Sequence, residues 1–177
     1  MRSKGSPHSS KNAIRRSADM TEQDQGLRKF CGYNIKRAFN VIQADVNQTL
    51  VRFGLRLVTW SALSVIKENP GLRQSQLADI LSIERPNLVL LLDELERADL
   101  INRDRDSADR RAYCLSLTDT GEALYAEALL AVEAHEDRMT EGLTAEERVA
   151  LIAMLRRIEA NGKAGGETDG TGSLSEA

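Results

Sequence analysis

The chain has little of what most catalytic or metal centres need. Its 177 residues include two cysteines and two histidines. Cys31 and Cys114 make neither a disulfide framework nor a zinc site, which takes about four ligands. His8 and His135 add no metal-binding arrangement. There is no GxGxxG, GxSxG, Walker or HExxH pattern, and no cysteine–histidine or paired-carboxylate set. Neither an enzyme nor a resident cofactor is expected. No apolar run approaches the roughly 20 residues that span a bilayer, and the basic N-terminus lacks the apolar segment of a secretory signal. A cytoplasmic protein is the expectation. Positive charge is not in surplus either: 24 Lys and Arg stand against 27 Asp and Glu, a net charge of −3. In bulk that argues weakly against nucleic acid. A DNA footprint, however, is a local patch on one face.

What is present is a globular composition, 41% hydrophobic and 29% charged, in a chain long enough for one domain with a real core. Both ends fall outside that core. Residues 1–26 are polar and partly basic (Arg2, Lys4, Lys11, Arg15, Arg16) and read as a mobile arm. Residues 161–177, NGKAGGETDGTGSLSEA, are rich in glycine and read as a disordered tail.

The middle is mostly helical. Phe30, Ile35, Ala38, Phe39, Ile42 and Val46 recur at helical spacing and predict a helix over about 27–50, broken by Gly54. Leu57, Trp60, Leu63 and Val65 mark a second over 57–68, ended by Asn69-Pro70-Gly71. A short helix over 74–81 follows. Ser82-Ile83-Glu84 then turns tightly into a helix over about 85–98, with Pro86 in its first turn, where a missing N–H costs nothing. Leu88, Leu91, Leu92 and Leu95 form its apolar stripe.

At 101–104 and 111–117 the period becomes two: Ala112, Cys114 and Ser116 alternate with Tyr113, Leu115 and Leu117. Asp106-Ser107-Ala108-Asp109 supplies a turn, so this is a β-hairpin with a charged tip. Thr118 is suited to cap a helix over about 120–138. Thr144-Ala145-Glu146-Glu147 reads as a capping box opening the last helix. The fold class is therefore mainly α with a small β-hairpin wing. A short helix, a turn, a second helix and a hairpin make a winged helix-turn-helix, whose second helix fits the major groove and whose hairpin lies along the backbone.

The segments GLRLVTWSAL, QLADILSI, LLDELERADLI, RDSADRR and LSLTDTGEAL, in that order, resemble the MarR family of bacterial transcriptional regulators over about 27–160. The DxxDRR wing leading into LTxxG is the most specific of them. The resemblance implies a winged domain over about 55–117 and dimerisation helices over about 27–50 and 118–160. The partners it implies are a second copy of the chain, double-stranded DNA carrying a pseudo-palindromic operator, and a small effector. The bottom-up reading agrees on the dimer, because long flanking helices with few partners must bury their apolar faces elsewhere. The function implied is a homodimeric repressor released by a ligand. The run NPGLRQSQLADIL with ERPNLVLLLDELE is closest to members that govern hydroxycinnamate and related aromatic-acid catabolism and respond to aromatic acyl-CoA thioesters.

Candidate residues follow. Arg85 and Asn87 point away from the leucine stripe, beside Pro86, and suit guanine and adenine respectively; a solvated helix start is the alternative. Arg73, Gln74, Ser75 and Gln76 are candidate phosphate contacts, or ordinary surface. Arg103, Arg105, Arg110 and Arg111 are the DNA candidates of the wing. The family pattern implies that Asp109 holds an arginine in place and that Arg105 or Arg110 enters the minor groove. The chain departs from the family at Glu84, where serine commonly caps. It departs again at Val89-Leu90, where a polar residue and arginine often face DNA. Those two side chains either touch thymine methyls or enlarge the core. Tyr33, Arg37 and Trp60 are candidates for an effector site, with Arg37 pairing an anionic ligand. Two other functions stay open: redox sensing through Cys31, beside Lys29 and Tyr33, and a winged helix used only for protein contact.

Overall fold

The computed structural model describes residues 24–105 and 113–168, with side chains as far as residue 164. The fold divides into two units, Met1–Val132 and Glu133–Ala177.

The helix expected over 27–50 is two helices. Helix α1 (Gln25–Arg28) and α2 (Cys31–Leu50) are separated by Lys29 and by Phe30, which is extended at φ −97° and ψ 127°. The Asn34 amide holds the break by donating to the carbonyls of Arg28 (2.7 Å) and Phe30 (2.9 Å). It thereby serves the Arg28 carbonyl at the end of α1, and adds to the Asn34 N–H that the Phe30 carbonyl also accepts. So short an interruption does not disturb the apolar rhythm, which is why periodicity missed it. The arm expected to end at residue 26 overlaps α1, and residues 1–23 lie outside the described residues.

Only the C-terminal end of α2 is buried, through Val46 and Leu50, while Phe39, Val41 and Ile42 are exposed. A 3-10 turn, Val51–Phe53, leads to Gly54 at φ 68°, the left-handed conformation that glycine adopts most cheaply, and there the helix stops as expected. Asn47 Oδ1 accepts from the Leu57 N–H at 2.7 Å and so starts α3 (Leu57–Glu68). That helix buries Thr59, Ala62, Leu63 and Ile66, one stripe at i, i+3, i+4, i+7. The Asn69-Pro70-Gly71 turn follows, with Gly71 at φ 85°.

A two-residue strand, β1 (Leu72–Arg73), then precedes α4 (Gln74–Leu81). Ser82, left-handed at φ 52°, ends α4 and turns the chain into α5 (Arg85–Arg97). Leu88, Leu91, Leu92 and Leu95 of α5 are buried, as the stripe predicts. Strands β2 (Ile101–Arg105) and β3 (Tyr113–Leu117) pair antiparallel, and β1 adds to the far side of β3, giving the order β1-β3-β2. The β1 pairing, Leu72 opposite Leu115 and Arg73 opposite Cys114, had no sequence signal, because two residues cannot display alternation. Across the wing, Ile101 faces Leu117, Arg103 faces Leu115 and Arg105 faces Tyr113. Directly opposed residues share a sheet face, so Arg103 lies on the side of the buried Leu115 and Ile101.

Helix α6 (Asp119–Met139) begins where β3 ends. The Thr118 hydroxyl donates to the Asp99 carbonyl at 2.6 Å and accepts from the Gly121 N–H at 2.9 Å, capping the helix as expected. The Thr118 N–H donates to the Leu100 carbonyl at 3.1 Å. Gly121 sits so close to that carbonyl that a Cβ would fall inside the oxygen's van der Waals shell. In the first unit α6 buries Ala128 and Ala131, and Leu124, Tyr125 and Val132 pack on the core.

The second unit contains the end of α6 and α7 (Ala145–Thr168). The capping box forms: the Thr144 N–H donates to Glu147 Oε2 (2.8 Å) and the Glu147 N–H to Thr144 Oγ1 (3.2 Å). Arg148 pairs with Asp137 at 2.8 Å. Helix α7 continues to Thr168, past the boundary expected at 160. Each added residue extends an existing ladder, at a cost of about 1 kcal/mol per glycine relative to alanine, and Lys163 pairs with Glu159 one turn back. Residues 169–177 lie outside the described residues. Val149, Leu151, Ile152, Met154, Leu155 and Ile158 of α7 are exposed. Among the described residues no single helix is long and apolar enough to cross a membrane.

The Gly121 contact gives a direct test. Gly121→Ala should destabilise the protein by about 2 kcal/mol, an overpacking cost against rigid backbone, measured by urea unfolding. Unchanged stability would mean that α6 does not start against Leu100.

Candidate nucleic-acid interface

Helix α5 carries its reactive-looking residues at its uncapped end. Glu84 occupies the N-cap position without a side-chain hydrogen bond to the helix, so its departure from a serine cap has a structural counterpart. Arg85, Pro86 and Asn87 are exposed in the first turn, outside the buried leucine stripe. Val89 and Leu90, 44% and 67% exposed, do not enlarge the core. Asn87 and Leu90, with Leu91 and Glu94, line a cleft of about 280 Å³ together with Arg56, Val58 and Ile83.

Towards its C-terminal half the same helix carries Asp93, Glu94 and Glu96. Carboxylates there would repel a polyanion, yet each is matched by a cation from another element. Arg56, just before α3, reaches Glu94 at 2.5 Å. Arg103, on β2, reaches Asp93 at 2.5 Å and Glu96 at 3.1 Å. Its side chain is only 15% exposed, whereas its partners are 43% and 49% exposed. Its guanidinium carbon also lies 5.7 Å from the Tyr113 ring centre. Turned over, the Gln74 amide brings its oxygen to 3.1 Å from Arg103 Nε and 3.3 Å from Nη2, the orientation that satisfies both residues. One guanidinium thus joins the start of α4, the middle of α5 and both strands of the wing.

This changes the reading of Arg103. Its donors are held by Asp93 and Glu96 of α5, whereas Arg105, two residues on and on the same sheet face, stays exposed. Among the described residues, the carboxylates that hold Arg103 are Asp93 and Glu96. Asp109, Arg110 and Arg111 lie outside the described residues. Arg105 remains exposed on β2, its guanidinium carbon 5.9 Å from the Tyr113 ring. Arg73 is exposed at the N-cap of α4, where its N–H donates to Gln76 Oε1 at 3.0 Å. Ser75 and Gln76 are exposed in the first turn of α4, and Gln74 is half-buried against Arg103.

The three effector-site candidates fall into two groups. The Tyr33 hydroxyl donates to Asp24 Oδ2 at 2.6 Å. That bond is the main reason why the Asp24 carboxyl lies below its usual range, and Arg28 and Arg37 act in the same direction. The same bond, with burial, raises the Tyr33 phenol. Trp60 stands with Tyr125 instead, ring centres 6.3 Å apart and planes 14° from parallel. The Tyr125 hydroxyl is 3.3 Å from Ser64 Oγ. Trp60 Nε1 is shielded from solvent and has no acceptor. Sequence reading missed Tyr125 and Ser64, which are 61 residues apart in the chain. Cys31 is exposed at the start of α2, and Cys114 is partly buried on β3.

The MarR family model matches residues 55–113. A Thauera aromatica protein described as "Putative transcriptional regulatory protein for hcr operon" is 37% identical over 99 residues, which is 56% of this chain and 60% of that protein. The match therefore spans less than two thirds of that relative's length. The structure of the transcriptional repressor CouR bound to a 23-mer DNA duplex is similar at a TM-score of 0.74 and 39% identity, over 77% of this chain and 96% of that one. CouR bound to p-coumaroyl-CoA aligns at 0.69 and 37%, over 76% and 95% of the two chains. A MarR family regulator from Rhodococcus sp. RHA1 aligns at 0.72 and 29%, over 76% and 95%.

The Arg103 arrangement predicts a local effect. Arg103→Ala should cost about 1 kcal/mol and speed amide hydrogen exchange in β2 and β3 about fivefold. Arg97→Ala, whose Nε donates to the Asp93 carbonyl one turn back, should leave the strands unchanged. Equal exchange in both variants would show that Arg103 does not hold the wing.

Proposed function

Because the chain belongs to the MarR family, we propose that it is a homodimeric DNA-binding transcriptional repressor that leaves its operator when an aromatic acid or its CoA thioester binds. The observation that carries this is the division of α5. Its uncapped end exposes Arg85 and Asn87, while the carboxylates further along are neutralised by Arg56 and Arg103. The helix can approach a phosphate backbone only with that neutralisation in place.

In this reading Arg85 and Asn87 contact base edges in the major groove. Arg73, Ser75 and Gln76 lie along the phosphates, and Gln74 supports Arg103. Arg105 and, on sequence grounds, Arg110 reach the minor groove, with Asp109 and Arg111 completing the wing. Arg103 is a positioning residue. The exposed apolar residues of α2 and of α7 favour a second copy as partner, since apolar surface left in water costs about 25 cal/mol per Å². Two copies related by a twofold axis read a pseudo-palindrome with half-sites one helical turn apart.

For the effector, the support is the Trp60–Tyr125 stack with its unsatisfied indole N–H, together with the acyl thioester in the CouR complex. An aromatic acyl group carries both a ring to stack and a carbonyl to accept that hydrogen bond. Release is linkage: a ligand that prefers the form unable to bind DNA weakens DNA binding by the factor by which DNA weakens the ligand.

Binding to the duplex flanking its own gene, titrated against salt, tests the reading. Arg85→Ala should lose about 1–3 kcal/mol of affinity, and Arg105→Ala with Arg110→Ala should flatten the salt dependence by about two phosphate equivalents. An unchanged salt slope would leave a protein-contact module instead. Adding p-coumaroyl-CoA, p-coumarate, free CoA or peroxide in separate arms identifies the effector. Release by the thioester or the free acid alone is expected. Release by peroxide alone, lost in Cys31→Ser, would replace it with thiol sensing.

A further inference from the structure

Two residues of α5 have exposed side chains of the wrong kind for solvent. Leu90 is 67% exposed and Val89 44% exposed, within a helix whose other leucines are buried. At about 100° per residue, Leu90 lies roughly opposite Leu88 and the core stripe. It is one turn on from Asn87, with which it shares the cleft beside Arg56. Val89 is one turn on from Arg85, at i+4. Each polar side chain suited to a base edge therefore has an apolar neighbour directly along the helix. So exposed, each buries only part of its apolar surface within the domain.

Resting on the DNA-reading function proposed above, we infer that Leu90 and Val89 are specificity residues that contact the C5-methyl groups of thymines in the major groove. The thymine methyl is the apolar group that the natural bases present on that edge. An adenine paired to Asn87 places its partner's methyl on the same groove floor, within reach of Leu90. A guanine paired to Arg85 leaves the neighbouring step to Val89. Methyl contact also suits the local electrostatics. With Glu94 held by Arg56 and Asp93 by Arg103, this face of α5 offers apolar surface between Arg85 and Asn87. The exposed apolar residues of α2 and α7 that suit a second copy lie on other helices.

The test uses the full-length dimer and a duplex selected by the wild-type protein from a random pool. Each thymine of the half-site is replaced singly by deoxyuracil, which removes the methyl and keeps the base pair. One or two replacements per half-site should weaken wild-type binding by about three- to fivefold each, the worth of one buried methyl group. Leu90→Ala should be insensitive at one of those positions and Val89→Ala at the other, with salt slope and unfolding midpoint unchanged. Tight binding with a flat deoxyuracil scan overturns the methyl contact alone. Full sensitivity retained in both variants also overturns it, since the methyls would then act through DNA shape. A Leu90→Ala protein that loses self-association but binds DNA normally assigns the residue to a protein contact. Failure to select any duplex with salt-dependent affinity overturns the DNA reading itself.

Discussion

Three carboxylates within four positions of a helix that must approach a polyanion set the constraint on which this domain depends. Asp93, Glu94 and Glu96 cannot simply be solvated. A carboxylate a few ångströms from a phosphate costs about 1 kcal/mol even at the dielectric of water, and several times that where water is thinned. The domain meets this with Arg56 from before α3 and Arg103 from β2. The same ion pairs fix geometry. Arg103 ties the wing to α5 and, through Gln74, to α4. Exposed pairs add little to stability; their contribution here is alignment and charge cancellation.

The wing is also anchored from its other end. Thr118 satisfies the Asp99 carbonyl and the first turn of α6 at once, and its N–H reaches the Leu100 carbonyl. The short LTDTG stretch therefore sets where the hairpin finishes and the long helix begins. Trp60 and Tyr125 bring α3 and α6 together by ring stacking. A buried indole N–H without an acceptor carries a desolvation cost of about 1–3 kcal/mol, which a bound carbonyl would offset.

Most elements were legible because their signals are local. Helical spacing located α3, α4 and α5, the threonine caps located α6 and α7, and period two located β2 and β3. The failures arose where the deciding interaction is not local. β1 exists because β3 passes beside it, not because of its two residues. The break at Lys29 and Phe30 depends on one amide, Asn34. The sequence placed Arg103 among arginines expected to face DNA, whereas in the fold it pairs with Asp93 and Glu96, 10 and 7 residues earlier in the chain. Tyr33, Arg37 and Trp60 were one group by residue type, but Trp60 stacks on Tyr125, whose hydroxyl in turn meets Ser64. Glycine content misjudged the end of α7, since composition does not report how cheaply an existing helix extends.

The approach of Gly121 to the Leu100 carbonyl has a mechanical side. Backbone meets backbone there, with no side chain between them to compress or change rotamer. Packed side chains absorb small displacements by hopping between staggered states, but a Cα–H against a carbonyl oxygen has no such slack. The contact falls one residue before β2 begins and three before Arg103. The first turn of α6 and the residue before β2 are thus in register through backbone alone.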